Sequence, residues 1–196
     1  FTENPKNVLV VVAHQDDETI GCGGTLYKWS KQGALINVIF VTDGQTGIDQ
    51  RDLYDKEVIK GTRMNEAENA AKILGIHNIE TLGVPCQQVN YGSQKLFHQI
   101  VSKLRKYKPE LVLTHSPNDK HRDHKAVSNL VIESCWKANE DIHSELGNVH
   151  QVLDVWGIEI TDLHDKFDFI VKLSKVEYEK KIKAFSKYYS QEKVIK

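Results

Sequence analysis

The run Val8-Leu9-Val10-Val11-Val12 constrains this chain more than any other feature. Five consecutive apolar residues, four of them β-branched, are too short for an ordinary buried helix and do not alternate with polar positions. That is the pattern of a strand covered on both faces, which occurs where helices pack on either side of a parallel sheet. Ile36 to Val41 and Leu111 to Thr114 read as further strands, and helix-period segments lie between the runs. The expected fold class is therefore α/β, with repeated strand–helix units around a mostly parallel sheet.

The segments fall into place around these strands. Leu26 and Trp29 mark a helix ending near Gly33, and Thr42-Asp43-Gly44-Gln45-Thr46-Gly47 is turn-rich. Residues 56–74 form a helix with Ala67, Ala70, Ala71 and Leu74 on one face and Gly75 as its stop signal. A short strand is expected at 79–82. A helix carrying Leu96, Ile100 and Leu104 follows and closes before Pro109. Val127, Leu130 and Val131 place another helix after the strand at 111–114. Val152 to Ile160 and Phe167 to Leu173 read as later strands, and a last helix is expected from Lys175 to Tyr189. No repeat, linker or low-complexity tract interrupts the chain, so residues 1–196 are read as one domain, a length sufficient for a sizeable core.

Composition narrows the function classes. Hydrophobic residues at 40% and charged residues at 27% are those of a globular protein, which argues against disorder. A formal net charge of −1 gives no basic face for a nucleic acid. The final twenty-two residues hold seven Lys against three Glu, read as a solvated helix face. No stretch approaches the roughly 18 apolar residues of a membrane span. Cys22, Cys86 and Cys135 are odd in number and widely spaced, which disfavours disulfides and a zinc ribbon and fits a reducing, cytoplasmic setting. The chain begins at Phe1, compatible with removal of an N-terminal segment.

Two polar clusters remain: His14-Gln15-Asp16-Asp17-Glu18 and His121-Arg122-Asp123-His124. Each follows an expected strand and opens an expected helix. In open α/β sheets ligands bind in the crevice beyond the carboxyl ends of the strands, where residues distant in sequence meet. Zinc accepts imidazole nitrogen and carboxylate oxygen, and its catalytic sites use three protein ligands. His14 and Asp17, three apart on a turn entering a helix, can face one point, and His124 supplies a third ligand. Asp16 would then point beside the metal as a general base, since metal binding brings the pKa of water to about 7. His121 is the natural acid and oxyanion stabiliser, and Asp123 could orient one of the two histidines.

Bland readings compete with this one. Asp and Glu are favoured in a helix's first turn without any metal. Gly21-Cys22-Gly23-Gly24 lacks the Lys-Ser/Thr of a phosphate loop and is read as close helix packing. His77, His98, His115, His143, His150 and His164 are read as surface or structural residues, although His115 ends a strand near the second cluster and could line the pocket. A metal-dependent amidase on a non-sugar amide, a metal- or sugar-binding protein without turnover, and a nucleotide-binding module remain alternatives.

With these residues in place, the chain resembles the PIG-L/LmbE-like de-N-acetylases. That family shows A-H-P-D-D-E after the first strand and H-P-D-H after a later one. It also has a T-x-G turn, matched by Thr42-Asp43-Gly44, and an R-x-x-E-x-x-x-A-x-x-L-G helix, matched by Arg63, Glu66, Ala70 and, offset by one, Leu74 and Gly75. A lysine-rich helix closing in S-Q is matched by Ser190-Gln191. The resemblance implies a Rossmann-like α/β sandwich and zinc, or another divalent metal, on His14, Asp17 and His124. It implies Asp16 as base, His121 as acid with Asp123 behind it, and Arg63 on polar groups of the substrate. The implied reaction is hydrolysis of an N-acetyl group from an amino sugar or its conjugate, by an enzyme without a membrane span. Such relatives are frequently oligomeric, so a homo-oligomer is expected. Gln15 and Arg122 stand where the family usually has Pro. Arg122 puts a cation at the pocket rim, which favours a phosphorylated or carboxylated substrate.

Overall fold

A computed structural model describes residues 3–46, 55–162 and 166–191. Five strands form one sheet: β1 (Asn7–Val12), β2 (Leu35–Thr42), β3 (Asn78–Val84), β4 (Leu111–His115) and β5 (Asp154–Ile158). Their order is β3-β2-β1-β4-β5, and every neighbouring pair is parallel. The helices are α1 (Asp17–Lys31), α2 (Lys56–Leu74), α3 (Gln94–Tyr107), α4 (Arg122–Ala138) and α5 (Lys175–Phe185).

The period of two along β1 divides the core into two layers. Val8, Val10 and Val12 face Leu26 and Trp29 of α1, Ala67, Ala70 and Leu74 of α2, and Ala184 of α5. Leu9 and Val11 face Leu96, Ile100 and Leu104 of α3 and Val127, Leu130 and Val131 of α4. Every residue from Val8 to Val12 is fully buried, which is why this run carries no polar position. Each such side chain contributes about 1.5–3 kcal/mol relative to exposure. The three cysteines are buried free thiols.

Where the chain departs from the expected elements, packing explains it. Residues 167–173 join no strand ladder. The segment instead crosses α1. Leu173 packs where a Cβ on Gly24 would stand, Lys28 Nζ donates to the Lys172 carbonyl at 3.1 Å, and Phe169 meets the Trp156 ring at 4.3 Å. Its apolar residues are thus anchored on a helix and a ring, and the glycines of α1 serve close packing. The last strand covers only 154–158 of the expected 152–160, and α5 ends at Phe185. A separate 3-10 turn, Tyr189–Gln191, follows.

That turn and the residue before it fold back onto α1 and α2. Tyr188 Oη donates to Glu18 Oε1 (2.8 Å), and Ser190 donates through N and Oγ to the two oxygens of Glu66 (2.8 and 2.6 Å). At the opposite end of the molecule the buried Arg105 of α3 holds the segment after α4. Its guanidinium donates to the carbonyls of Ala138, Glu140, Ile142, His143 and Gly147 at 2.7–3.3 Å. No helix among the described residues is long and apolar enough to cross a membrane.

Candidate active site

The polar clusters emerge at the carboxyl ends of β1 and β4, the neighbouring strands between which the direction of chain progression reverses. This is the crevice where α/β sheets bind ligands. Ala13, just past β1, ties three strand ends together. Its N–H donates to His115 Nε2 (2.7 Å), and its carbonyl accepts from Thr42 N (2.9 Å) and Thr42 Oγ1 (2.8 Å). Beyond β2, Gly44 has φ +73°, and any Cβ there would run into Gln15 Oε1.

Asp16 caps α1 in backbone terms, yet its carboxylate makes no capping hydrogen bond. Its φ of 143° is a conformation that costs a side-chain-bearing residue about 1–3 kcal/mol. The carboxylate faces Arg63 Nη2 at 3.4 Å, and the same guanidinium donates to the Gln15 carbonyl. The Asp16 carboxylate therefore does not serve as a helix cap, whereas Asp17 and Glu18 occupy the first turn.

Three donor atoms from the two clusters converge. His14 Nδ1 lies 3.2 Å from His124 Nε2 and 3.3 Å from Asp17 Oδ2, and His124 Nε2 lies 3.5 Å from Asp17 Oδ2. Tetrahedral coordination at bond lengths of about 2.0–2.2 Å sets neighbouring donors about 3.3 Å apart, so this triangle has the dimensions of a zinc face. The far nitrogen of each imidazole meets a carboxylate: His14 Nε2 with Asp123 Oδ2 (3.3 Å) and His124 Nδ1 with Asp119 Oδ2 (3.0 Å). Carboxylates hold the imidazole protons on those outer nitrogens and leave bare lone pairs inside the triangle. Three lone-pair atoms at this separation repel unless a cation lies among them, so the residues fit a divalent metal.

Asp17, His115 and His124 form a second close group. It is the poorer metal site, because His115 Nε2 already accepts the Ala13 N–H. Burial holds His115 well below the ordinary histidine range, to about 3, and its ring stacks on His124 at 3.9 Å. Burial likewise pushes Asp16 above the usual carboxylate range, with Asp17 adding to the shift and Arg63 opposing it. Asp17 moves the other way despite its burial, held down by His14 and His115. His14 is raised to about 10, since Asp17 and the hydrogen bond to Asp123 outweigh burial.

His121 is the N-cap of α4, and its Nδ1 accepts the Asp123 N–H at 3.2 Å. Its ring lies 4.9 Å from that of His14 and 4.5 Å from that of His124. Asp123 was expected behind His121, but its carboxylate sits on His14 and accepts the Gln87 N–H at 2.6 Å. The first turn of α4 aims residue 123 across to the exit of β1. Arg63 is buried on α2 with Nε and Nη1 unpartnered among the described residues, and Arg122 is exposed at the first position of α4. Sequence reasoning missed Asp119 and set His115 among the structural histidines. An acidic residue in the β4–α4 loop and a histidine at the end of a buried strand were the available signals. Gly47 and His164 lie outside the described residues.

Comparison with known proteins agrees with this geometry. The diacetylchitobiose deacetylase of Thermococcus kodakarensis is 31% identical over 132 residues, which cover 66% of this chain and 49% of that protein. The chain thus spans about half the length of that relative. The structure of N,N'-diacetylchitobiose deacetylase from Pyrococcus horikoshii superposes with a TM-score of 0.87 at 27% identity, covering 97% of this chain and 72% of that one. GalB, the 4-carboxy-2-hydroxymuconate hydratase of Pseudomonas putida KT2440, shares the fold at a TM-score of 0.86 and 23% identity, covering 96% and 81%. The family described as PIG-L: GlcNAc-PI de-N-acetylase matches residues 9–135, a stretch that runs from β1 through both polar clusters into α4. By that match, on a fold whose strand ends bring the clusters together, the chain belongs to the PIG-L de-N-acetylase family.

Proposed function

We propose that the chain is a metal-dependent N-deacetylase that hydrolyses the acetamide of an N-acetylated amino sugar or sugar conjugate. The observation that carries this reading is the triangle of His14 Nδ1, Asp17 Oδ2 and His124 Nε2 with an uncapped, buried Asp16 beside it. A divalent ion held by these three, zinc by its donor set, supplies a Lewis acid that polarises the amide and acidifies water. Iron, manganese or cobalt satisfies the same donors.

The chain's own residues divide the proton work. Asp16, kept basic by burial, takes a proton from the attacking water at its carboxylate. Arg63 holds that carboxylate in place and keeps two nitrogens for the substrate. His121 accepts a backbone N–H at Nδ1, so its neutral form carries the proton on Nε2. That N–H hydrogen-bonds to the carbonyl oxygen as charge develops. As its proton passes to the leaving nitrogen, His121 regains the proton that Asp16 took from water, so the imidazole ends neutral and Asp16 ends ionised. Water adds to the carbonyl carbon, the C–N bond breaks, and acetate and a free amine leave. Arg122 adds a cation at the rim that favours a phosphorylated or carboxylated conjugate.

The names of the chitobiose deacetylase relatives support a small N-acetylated sugar, and the hydratase that shares the fold shows that fold alone does not choose the reaction. The test is metal content by mass spectrometry, followed by acetate and amine release from a panel of N-acetylated sugars and simple acetamides. One divalent ion per chain, lost in Asp17→Ala, with release confined to sugars, supports the reading. Release from simple acetamides alone moves it to a general amidase, and an ion without release from any of them leaves a binding protein.

A further inference from the structure

We propose that Asp119 is a positioning residue that decides which nitrogen of His124 carries the proton, and thereby whether the site can take a divalent cation. The proposal rests on the metal-site reading above.

Asp119 lies in the loop between β4 and α4 and is almost completely buried. Its two oxygens have separate tasks. Oδ2 meets His124 Nδ1 at 3.0 Å and is approached by the Thr161 N–H at 3.4 Å, while Oδ1 accepts the His121 N–H at 2.8 Å. An ionised carboxylate only accepts hydrogen bonds, so the imidazole must present its single proton at Nδ1. Nε2 is then bare, and Nε2 is the atom that faces His14 Nδ1 and Asp17 Oδ2. Because the other oxygen holds the residue that caps α4, one carboxylate sets both the tautomer of His124 and the start of its helix.

The isosteric amide separates this role from mere filling of space. In Asp119→Asn the amide oxygen is retained at Oδ1, where the His121 N–H requires an acceptor. The amide NH2 is thereby aimed at His124 Nδ1, donor against donor. The imidazole relieves the clash by moving its proton to Nε2, inside the triangle, where it blocks a metal. Asp119→Ala leaves Nδ1 to the Thr161 hydroxyl, 3.4 Å away, which can donate or accept and so tolerates either tautomer. The expected order of metal affinity is parent, then Ala, then Asn. A residue that only supports the loop gives the other order, with Asn near the parent and Ala weakest.

The zinc-loaded parent, Asp119→Asn and Asp119→Ala are titrated with a chromophoric chelator, with circular dichroism as the check on folding. Zinc affinity reduced about 10- to 100-fold in the Asn variant, and less in the Ala variant, is the expected result. An Asn variant within about twofold of the parent overturns the proposal. As a second readout, 15N shifts of the His124 ring in zinc-free parent at pH 8 are expected to place the proton on Nδ1, and a proton on Nε2 overturns the proposal even if a variant fails to fold. A parent that takes up no zinc at all brings down the metal-site reading itself.

Discussion

His14 Nδ1 and His124 Nε2 stand 3.2 Å apart, on residues separated by 110 positions, with neither proton between them if Asp123 and Asp119 hold the outer nitrogens. In the metal-free chain a proton takes the cation's place. His14 is raised to about 10 because Asp17 and Asp123 outweigh the burial that opposes its charge.

Metal binding should therefore release protons. A raised folded-state pKa means that metal-free His14 stays protonated through neutral pH, and the metal must displace that proton. Zinc affinity is expected to rise with pH between about 6 and 10, with close to one proton released at pH 7. Calorimetry in buffers of different ionisation enthalpy checks this, and binding without proton release would mean that His14 is neutral in the metal-free chain.

Asp16 should trade stability for turnover. Asp16→Asn is expected to keep zinc and lose activity about 10²- to 10⁴-fold. Asp16→Gly removes the same carboxylate and also the strained φ of 143°. Asp16→Gly and Asp16→Ala both lose the contact with Arg63, and urea unfolding is expected to show Asp16→Gly more stable than Asp16→Ala by about 1–3 kcal/mol. An Asp16→Gly variant no more stable than Asp16→Ala would mean the backbone is not strained there.

Arg105 lies far from the chemistry and should matter only for stability. Its removal strips a donor from six carbonyls, of which those of Lys137, Ala138, Glu140 and His143 keep a backbone N–H; each one left buried without a partner costs about 1–3 kcal/mol. Arg105→Ala is expected to lose about 3 kcal/mol or more in denaturant unfolding. Arg105→Lys should recover less than half, because an ammonium has three donors and no planar fork. Metal affinity per folded chain should be unchanged in both.

Arg122 is exposed, so its effect is a modest one on anionic substrates. Arg122→Ala is expected to raise KM for a phosphorylated or carboxylated N-acetyl sugar about three- to fivefold, the worth of a screened ion pair, and to leave a neutral sugar unchanged. Equal effects on both substrates would remove Arg122 from substrate choice.

Much of this arrangement was legible because the signals are local. Val8 to Val12 and Leu111 to Thr114 are too apolar to lie anywhere but the sheet, and the position of the clusters just past them follows. Phe167 to Leu173 misled because apolar content does not say whether a segment pairs with a strand or lies across a helix, and Gly24 is what allows the second. Asp119 was missed because its partner is chosen by how the β4–α4 loop folds back, which no spacing encodes. The same holds for Asp123, whose place on His14 depends on the distance between β1 and α4 and not on its neighbours in the chain.

Tyr188 and Ser190 reach back across 170 and 124 residues to carboxylates of α1 and α2. A chain growing from its N-terminus therefore exposes His14, Asp17 and His124 to cellular ions well before those hydroxyls are synthesised. Until then Glu18, next to Asp17, has the Thr19 hydroxyl but not that of Tyr188, and Glu66, one turn from Arg63, lacks both Ser190 donors. The interior beneath the crevice is thus sealed last, by residues that touch none of the reacting groups.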